Sequence, residues 1–326
     1  MSYNCAVIIP AIEFDFDVSK CIDGCNSQNI VKVKIYLLTD KKIKKKIKSK
    51  NIKIIHTGDI TMSEKRNIGV KMCKEKYVAF IDSDAYPRRD WLYNGIKILK
   101  KNKKIGMVSG PDIPFPDQKG LSYFIGLAHK SFFLSGSKVF RKRSVKKSIV
   151  NQASSCNMIM EKKLFQKVCG MDKKIYIGED KDFCDRLNKV TKIMHSPDVL
   201  IYHRVRAFVP FLLQRFVYGT CVFDIIKLNK KIKFNDIQYF IPLLITLFYL
   251  LFPFFYNLKI LFQISLFAIT ILNLIILVEA VRISLNPLKI ILIFTIIKLN
   301  IIAFGLGSIS KALGFKKSIK KIYTKR

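Results

Sequence analysis

The sequence predicts an α/β domain, with a mixed but mostly parallel sheet and flanking helices, followed by an all-α membrane segment. Three observations predict it. Up to about Phe234, apolar runs alternate with charged stretches in a strand-then-helix rhythm. Beyond it, Phe240 to Tyr256 and Ile260 to Val281 carry almost no charge, and each approaches the roughly 20 apolar residues that cross a bilayer. Within the first part, the unbroken apolar run Tyr77 to Ile81 ends in Asp82-Ser83-Asp84. Such a run reads as a strand buried on both faces, and the carboxyl end of such a strand is where open α/β sheets bind ligands.

The elements follow in order. Cys5 to Ile9 reads as a first strand ended by Pro10, not as a secretory leader. A helix is expected over Val18 to Asn29, strands over Val33 to Leu38 and Ile52 to Ile55, and a helix from Glu64 to about Lys74 capped by Ser63. After the Tyr77 strand, Pro87 and Trp91 open another helix, and Ile105 to Ser109 forms a strand. Pro111 to Lys119 is loop-like. Lys138 to Lys147 lacks apolar periodicity and reads as a mobile loop over the working edge of the sheet or as a surface insertion. Glu161 to Val168 looks helical and is closed by Gly170, and Gly178 to Asp182 leads into a helix running to Asn188. Ile193 to Met194 and Val199 to Tyr202 are short strands, the second followed by His203.

Composition narrows the function classes. A net charge of +35 would suit nucleic acid, but the basic clusters Lys41 to Lys50, Lys138 to Lys147 and Lys311 to Arg326 are not interleaved with stacking aromatics. With apolar helices following, a membrane with anionic lipid is the more economical partner, a solvated face is the alternative, and no nucleic acid is expected. The eight cysteines show no zinc or disulfide spacing and fit a reduced compartment. No Gly-x-Gly-x-x-Gly or Walker loop stands at any strand end, which weighs against dinucleotide and P-loop enzymes.

Asp82 and Asp84 by themselves fit either a divalent cation holding phosphates or an acidic turn capping the next helix. Several ordered motifs around them resemble family 2 glycosyltransferases of the GT-A fold, over roughly residues 5 to 220. Val7-Ile8-Ile9-Pro10 is similar to that family's first strand, Lys65-Arg66-Asn67-Ile68-Gly69 to its Arg-Asn-x-Gly helix, and Phe80 to Asp84 with Trp91-Leu92 to its Asp-x-Asp region. Asn157 to Gly170, Gly178-Glu179-Asp180-x-Asp182 and Arg186-Leu187 resemble its acceptor-side block, and His203 stands where many members carry a His. Gln214 to Gly219 resembles the Arg-x-x-Tyr-Gly segment of members that build lipid-linked glycans. Cys169-Gly170 replaces a usual Gly-Gly, while Glu13 and Asp15 replace a usual Asn and Thr39-Asp40 a usual acid pair; these last two departures touch the expected base pocket, so the nucleotide base stays open.

The resemblance implies a nucleotide-sugar donor, with Mg²⁺ or Mn²⁺ held by Asp84, Asp82 and His203. For His203, a strand-end histidine satisfied by the backbone is the alternative. It further implies donor contacts from Pro10, Asp40, Arg66, Asn67, Asp82 and Arg215, although a surface salt bridge remains open for Arg215. Asp180 would be the base that takes the acceptor's proton, with Glu179 its nearest rival, and transfer would invert the sugar carbon. The acceptor would be lipid-linked or a glycan, polyprenyl-linked for preference, in cell-surface polysaccharide or glycoconjugate synthesis. A processive polysaccharide synthase is weakened by the adjacency of Gln214 and Arg215. A non-catalytic basic membrane adaptor would leave the acidic residues idle.

Residues 1–233 are expected to form the GT-A domain, with 207–227 as a membrane-surface collar or an ordinary closing helix. Residues 234–310 form the membrane part and 311–326 a basic tail. Ile237 to Tyr256 and Ile260 to Val281 are expected to span. Leu288 to Gly307, carrying Lys289, Lys298 and Asn300, is expected to be interfacial or re-entrant. Two crossings keep the seven basic residues of the tail and Lys227 to Lys233 on the cytoplasmic side with the catalytic domain.

Overall fold

The computed structural model describes residues 3–29, 31–43, 50–142, 146–175, 177–223 and 234–315. Parts of the three basic clusters (44–49, 143–145 and 316–326), the lysines of 227–233 and the end of the expected collar (224–226) lie outside the described residues. The chain forms two compact units, one of residues 1–116 and 140–204, the other of residues 117–139 and 205–326. The expected catalytic region 1–233 thus comprises the first unit and part of the second.

The first unit contains strands β1 (Tyr3–Ala11), β2 (Val31–Thr39), β3 (Ile52–His56), β4 (Tyr77–Ile81), β5 (Ala85–Pro87), β6 (Ile105–Ser109), β7 (Asp112–Pro114), β8 (Ser148–Val150), β9 (Asn157–Glu161), β10 (Lys192–His195) and β11 (Ile201–His203). Its helices are α1 (Phe16–Asn26), α2 (Met62–Met72), α3 (Trp91–Lys101), α6 (Lys162–Lys167) and α7 (Glu179–Leu187); α4 (Gly120–Ala128) and α5 (Phe132–Ser135) belong to the other unit. The main sheet runs β3-β2-β1-β4-β9-β6-β10-β8, with β9 antiparallel to β4 and β6, and β8 antiparallel to β10. A small sheet, β5-β11-β7, completes the fold.

Both faces of the main sheet are covered, which is why the central strands read as unbroken apolar runs. On one face Val7, Ile9, Leu37, Ala79 and Ile81 pack against Trp91, Leu92 and Ile96 of α3. On the other, Ile8, Leu38, Val78 and Phe80 meet Val70 of α2 and Phe183 and Leu187 of α7. The mostly parallel sheet with flanking helices matches the expected architecture.

Several local expectations change. Pro10 does not end β1, which pairs with β2 through Ala11. Pairing with β4 stops at Ile8, so the missing N–H of Pro10 removes no ladder bond on that side. Helix α2 is capped by Thr61, not Ser63. The Thr61 hydroxyl accepts from Glu64 N at 3.1 Å, and the Glu64 carboxylate accepts from Thr61 N at 3.2 Å, a reciprocal capping box. Within the expected loop Pro111–Lys119, residues 112–114 form β7. The basic stretch read as mobile begins within a 3-10 turn, Gly136–Lys142, whose last two residues bond to Asp112.

The second unit is helical. Besides α4 and α5 it has α8 (Phe208–Thr220), α9 (Ile241–Leu251), α10 (Lys259–Ile283) and α11 (Pro287–Ala312). Short 3-10 turns at Phe234–Tyr239 and Phe252–Phe255 flank α9. Three helical stretches, Ile237–Phe255, Lys259–Ile283 and Pro287–Ala312, are long and apolar enough to cross a membrane. The third is one uninterrupted helix, and it is the most buried of the three. Its polar residues find partners inside the unit. Asn300 donates to Phe133 O at 3.1 Å, Lys289 to the Tyr123 hydroxyl at 3.3 Å, and the Lys298 ammonium lies over Phe294 and Tyr249.

Candidate active site

The site forms where β4, β11 and α7 bring their polar ends together. Asp82 and Asp84 follow β4, and the turn they occupy is pinned by Ala85 N to Asp82 O at 3.1 Å and Arg204 N to Asp84 O at 2.9 Å. His203 ends β11 opposite Ala85. Its Nε2 lies 3.4 Å from Asp84 Oδ1 and 3.7 Å from Asp82 Oδ2. One ligand atom from each of the three residues falls within 4.8 Å of the other two. Two carboxylates and an imidazole suit Mg²⁺ or Mn²⁺, so the donor set fits the implied metal. Without one, burial opposes a charge on His203, but the Asp84 and Asp82 carboxylates outweigh it and raise its pKa to about 9. Burial likewise opposes charge on Asp82, yet the His203 hydrogen bond and the Arg66 guanidinium hold its carboxyl below the usual range.

Arg66 joins this cluster to a second pair of acids. Its Nη2 donates to Asp82 at 2.8 Å and its Nη1 to Glu179 at 3.4 Å, with only 3% of the side chain exposed. Glu179 also accepts from the Ser155 hydroxyl at 3.4 Å. Burial and the neighbouring Asp180 push its pKa up to about 7, against the pull of Arg66. Glu179 and Asp180 open α7 behind Gly178, whose φ of +89° is a left-handed value that glycine adopts freely. One oxygen of Asp180 accepts from the Lys181 amide at 2.8 Å.

Of the other expected donor contacts, Asp40 pairs with the fully buried Lys65 at 2.6 Å, and Lys65 also donates to Ala11 O at 2.6 Å. Lys65 thereby ties together the carboxyl ends of β1 and β2. Pro10 is buried within β1. Asn67, expected to face the donor, instead uses both ends of its amide on Met171: Nδ2 donates to the carbonyl at 2.7 Å, and Oδ1 accepts from the amide at 2.9 Å. It fixes the turn at Cys169 and Gly170, both in left-handed backbone. Arg215 lies in the second unit, on α8, with its guanidinium 5.1 Å from the Phe211 and Tyr218 rings. Glu13 pairs with Lys41 and Asp15 caps α1.

Sequence reasoning missed two groups. Buried Asn157 accepts from Trp91 Nε1 at 2.8 Å and donates to Val199 O at 2.8 Å and Pro111 O at 3.3 Å. It thereby sets the segments that enter β11 and β7. Asp112 on β7 holds Arg141 at 3.0 Å and Lys142 at 2.6 Å. A buried Asn opening an apolar strand was the readable signal for the first; the second joins residues 29 and 30 positions apart and left none.

Comparison with known proteins agrees with this geometry. Residues 7–169, half of the chain, match the family described as Glycosyl transferase family 2. Two curated relatives are the pre-mycofactocin glycosyltransferases of Mycobacterium tuberculosis strains CDC 1551 / Oshkosh and ATCC 25618 / H37Rv. Each is 26% identical over 144 residues, which is 42% of this chain. The chain spans 29% of the length of these relatives. With the matched region carrying the Asp-Ser-Asp strand end and the Arg66 helix, the chain belongs to glycosyl transferase family 2.

Proposed function

We propose that this is a membrane-anchored, metal-assisted glycosyltransferase that moves a sugar, with inversion, from a nucleotide-sugar donor to a lipid-linked or glycan acceptor. The observation that carries it is the meeting of Asp82, Asp84 and His203 with the Arg66–Glu179 pair and Asp180 at one edge of a family 2 sheet. Asp82, Asp84 and His203 would hold Mg²⁺ or Mn²⁺. A cation bound there neutralises negative charge on the donor diphosphate.

In the transfer, the acceptor oxygen attacks the anomeric carbon while the carbon–oxygen bond to the diphosphate breaks, its electron pair staying on the phosphate oxygen. The acceptor's proton passes to a carboxylate. We assign that role to Asp180, because Glu179 is engaged by both Arg66 and Ser155. Arg66 orients Asp82 and Glu179, Asn67 holds the turn beside it, and Asp40 with Lys65 shapes the nucleotide end. Arg215 is the proposed phosphate contact of the second unit.

The three apolar helices support an acceptor dissolved in the bilayer, with polyprenyl-linked glycan the preferred class and the catalytic unit on the cytoplasmic face. The full chain in membranes, given a panel of UDP-, GDP- and dTDP-sugars, should release nucleoside diphosphate and stop on EDTA treatment. Asp180→Asn is expected to lower turnover by about a hundred- to ten-thousand-fold while donor binding persists. Full turnover in that variant would remove Asp180 from the role.

A further inference from the structure

The 3-10 turn at Gly136–Lys142 brings two cations to one buried carboxylate. Asp112 has a side chain only 4% exposed. It accepts from Arg141 Nε at 3.3 Å and Nη2 at 3.0 Å, and from Lys142 Nζ at 2.6 Å; Lys142 also donates to the Asp112 carbonyl at 2.9 Å. Phe140 meets the buried ring of His195 edge-on at 4.9 Å, so the turn is seated at consecutive residues.

One cation would neutralise Asp112; here there are two. Asp82 and Glu179 have Arg66, and Asp84 has His203. Two cations on one carboxylate leave a local excess of positive charge, which the neighbouring site must compensate, by Asp180 in the free protein or by a bound anion. Asp112 pairs with Ile201 across the small sheet, and His203 lies two residues on, so Asp112 and His203 share a face. Arg141 is close enough to Asp180 for their charges to interact. The cationic pair is thus within electrostatic reach of both the acidic cluster and the proposed base.

We propose that Arg141 and Lys142, set in place by Asp112, form a binding pair for a phosphoryl group, distinct from the acidic metal cluster. The inference rests on the glycosyltransferase reading for its substrate class: the diphosphate of the donor or the phosphate of a lipid acceptor. The planar Arg fork and the point charge of Lys together suit phosphate oxygens. Asp112 is a positioning residue that fixes both side chains through its carboxylate and carbonyl.

The test is calorimetric titration of the full chain in detergent with inorganic pyrophosphate, in EDTA so that no metal contributes. The parent should bind, Arg141→Gln and Lys142→Gln should each weaken binding at least about tenfold, and Arg141→Lys should restore most of it. Should a Gln variant lose its cooperative melting, the salt dependence of the parent decides, since two cations require affinity to fall steeply with ionic strength. Displacement of pyrophosphate by UDP or GDP assigns the pair to the donor; displacement by farnesyl phosphate assigns it to the acceptor. No binding by the parent, or equal affinity in parent and both Gln variants, overturns the pair. A parent that binds pyrophosphate through these residues but turns over no nucleotide sugar keeps the pair and loses the glycosyl-transfer reading. A parent that turns over donor with its pyrophosphate affinity untouched by either substitution does the reverse.

Discussion

At the scale of single residues, the site is a set of charges that hold one another in place. Arg66 is its hinge point: nearly inaccessible, it needs both Asp82 and Glu179 to compensate its burial. Glu179 is the weaker of those partners because its own ionisation is disfavoured. Its pKa of about 7 in the folded chain exceeds the 4.5 of an unperturbed glutamate. The folded chain therefore binds this proton more tightly than the unfolded one, so the associated stability is complete below about pH 4.5 and is lost as pH rises through 7. Replacing Glu179 by Gln removes the titration. In metal-free protein, the melting temperature of Glu179→Gln should gain on the parent's between pH 5 and pH 8, by an amount worth about 1–3 kcal/mol. A difference that stays constant across that range would show that Glu179 does not carry the raised value.

At the scale of elements, the site depends on how closely α2 lies against β1. Gly69, one turn beyond Arg66, leaves no room for a side chain: a Cβ there would stand 2.7 Å from Ile8 Cγ2. Ile8 is fully buried and branched at Cβ, so that methyl cannot swing away. Alanine would gain about 1 kcal/mol of helix propensity but overpack the contact by about 1–3 kcal/mol. Gly69→Ala should therefore destabilise the chain in urea unfolding and weaken donor binding through displaced Arg66. A stabilised variant would mean that α2 lifts off β1 without strain. How far such elements can be read in advance depends on what sets them. β4 was legible because burial on both faces leaves an unbroken apolar run, and Asp82 and Asp84 were legible because they end that run. β5 and β7 have three residues each, too short for any period to register, and they exist through pairing with β11. The contact of Asp112 with Arg141 and Lys142 is tertiary, and in sequence the two cations were only part of a lysine-rich stretch. Asn67 had the opposite fate: its motif was legible, but its amide serves Met171.

At the scale of the whole molecule, each compact unit has its own core. The apolar clusters around the main sheet share no residue with the one formed by α4, α5, α8, α10 and α11. In the second unit the dominant packing is between α8 and α11, and small residues make it. A Cβ on Gly219 would collide with Phe304 O, and one on Gly307 with Phe216 O. The Ser308 hydroxyl donates to Gly219 O at 3.1 Å across the same seam. Helices in an apolar medium gain little from burying more apolar surface, so close approach and hydrogen bonds across small residues hold them together. This gives the glycine of the Gln214–Gly219 segment a packing role beside any chemistry of Arg215. It also explains how α11 carries Lys289, Lys298 and Asn300, since that helix is the centre of its unit and can offer them partners. At Gly307 the obstruction is backbone rather than a flexible side chain, so a methyl group must push the two helices apart. Gly307→Ala is expected to lower the detergent-solubilised melting temperature and speed proteolysis within residues 205–315. Nucleoside diphosphate binding, which we propose rests on Asp82, Asp84 and Arg66 of the first unit, should stay within about threefold of the parent if Arg215, next to Phe216 on α8, serves the acceptor and not the donor. Loss of that binding alongside the loosened helices would assign the phosphate contact of Arg215 to the donor. Retention would establish that the sheet and its charge cluster stand on their own core.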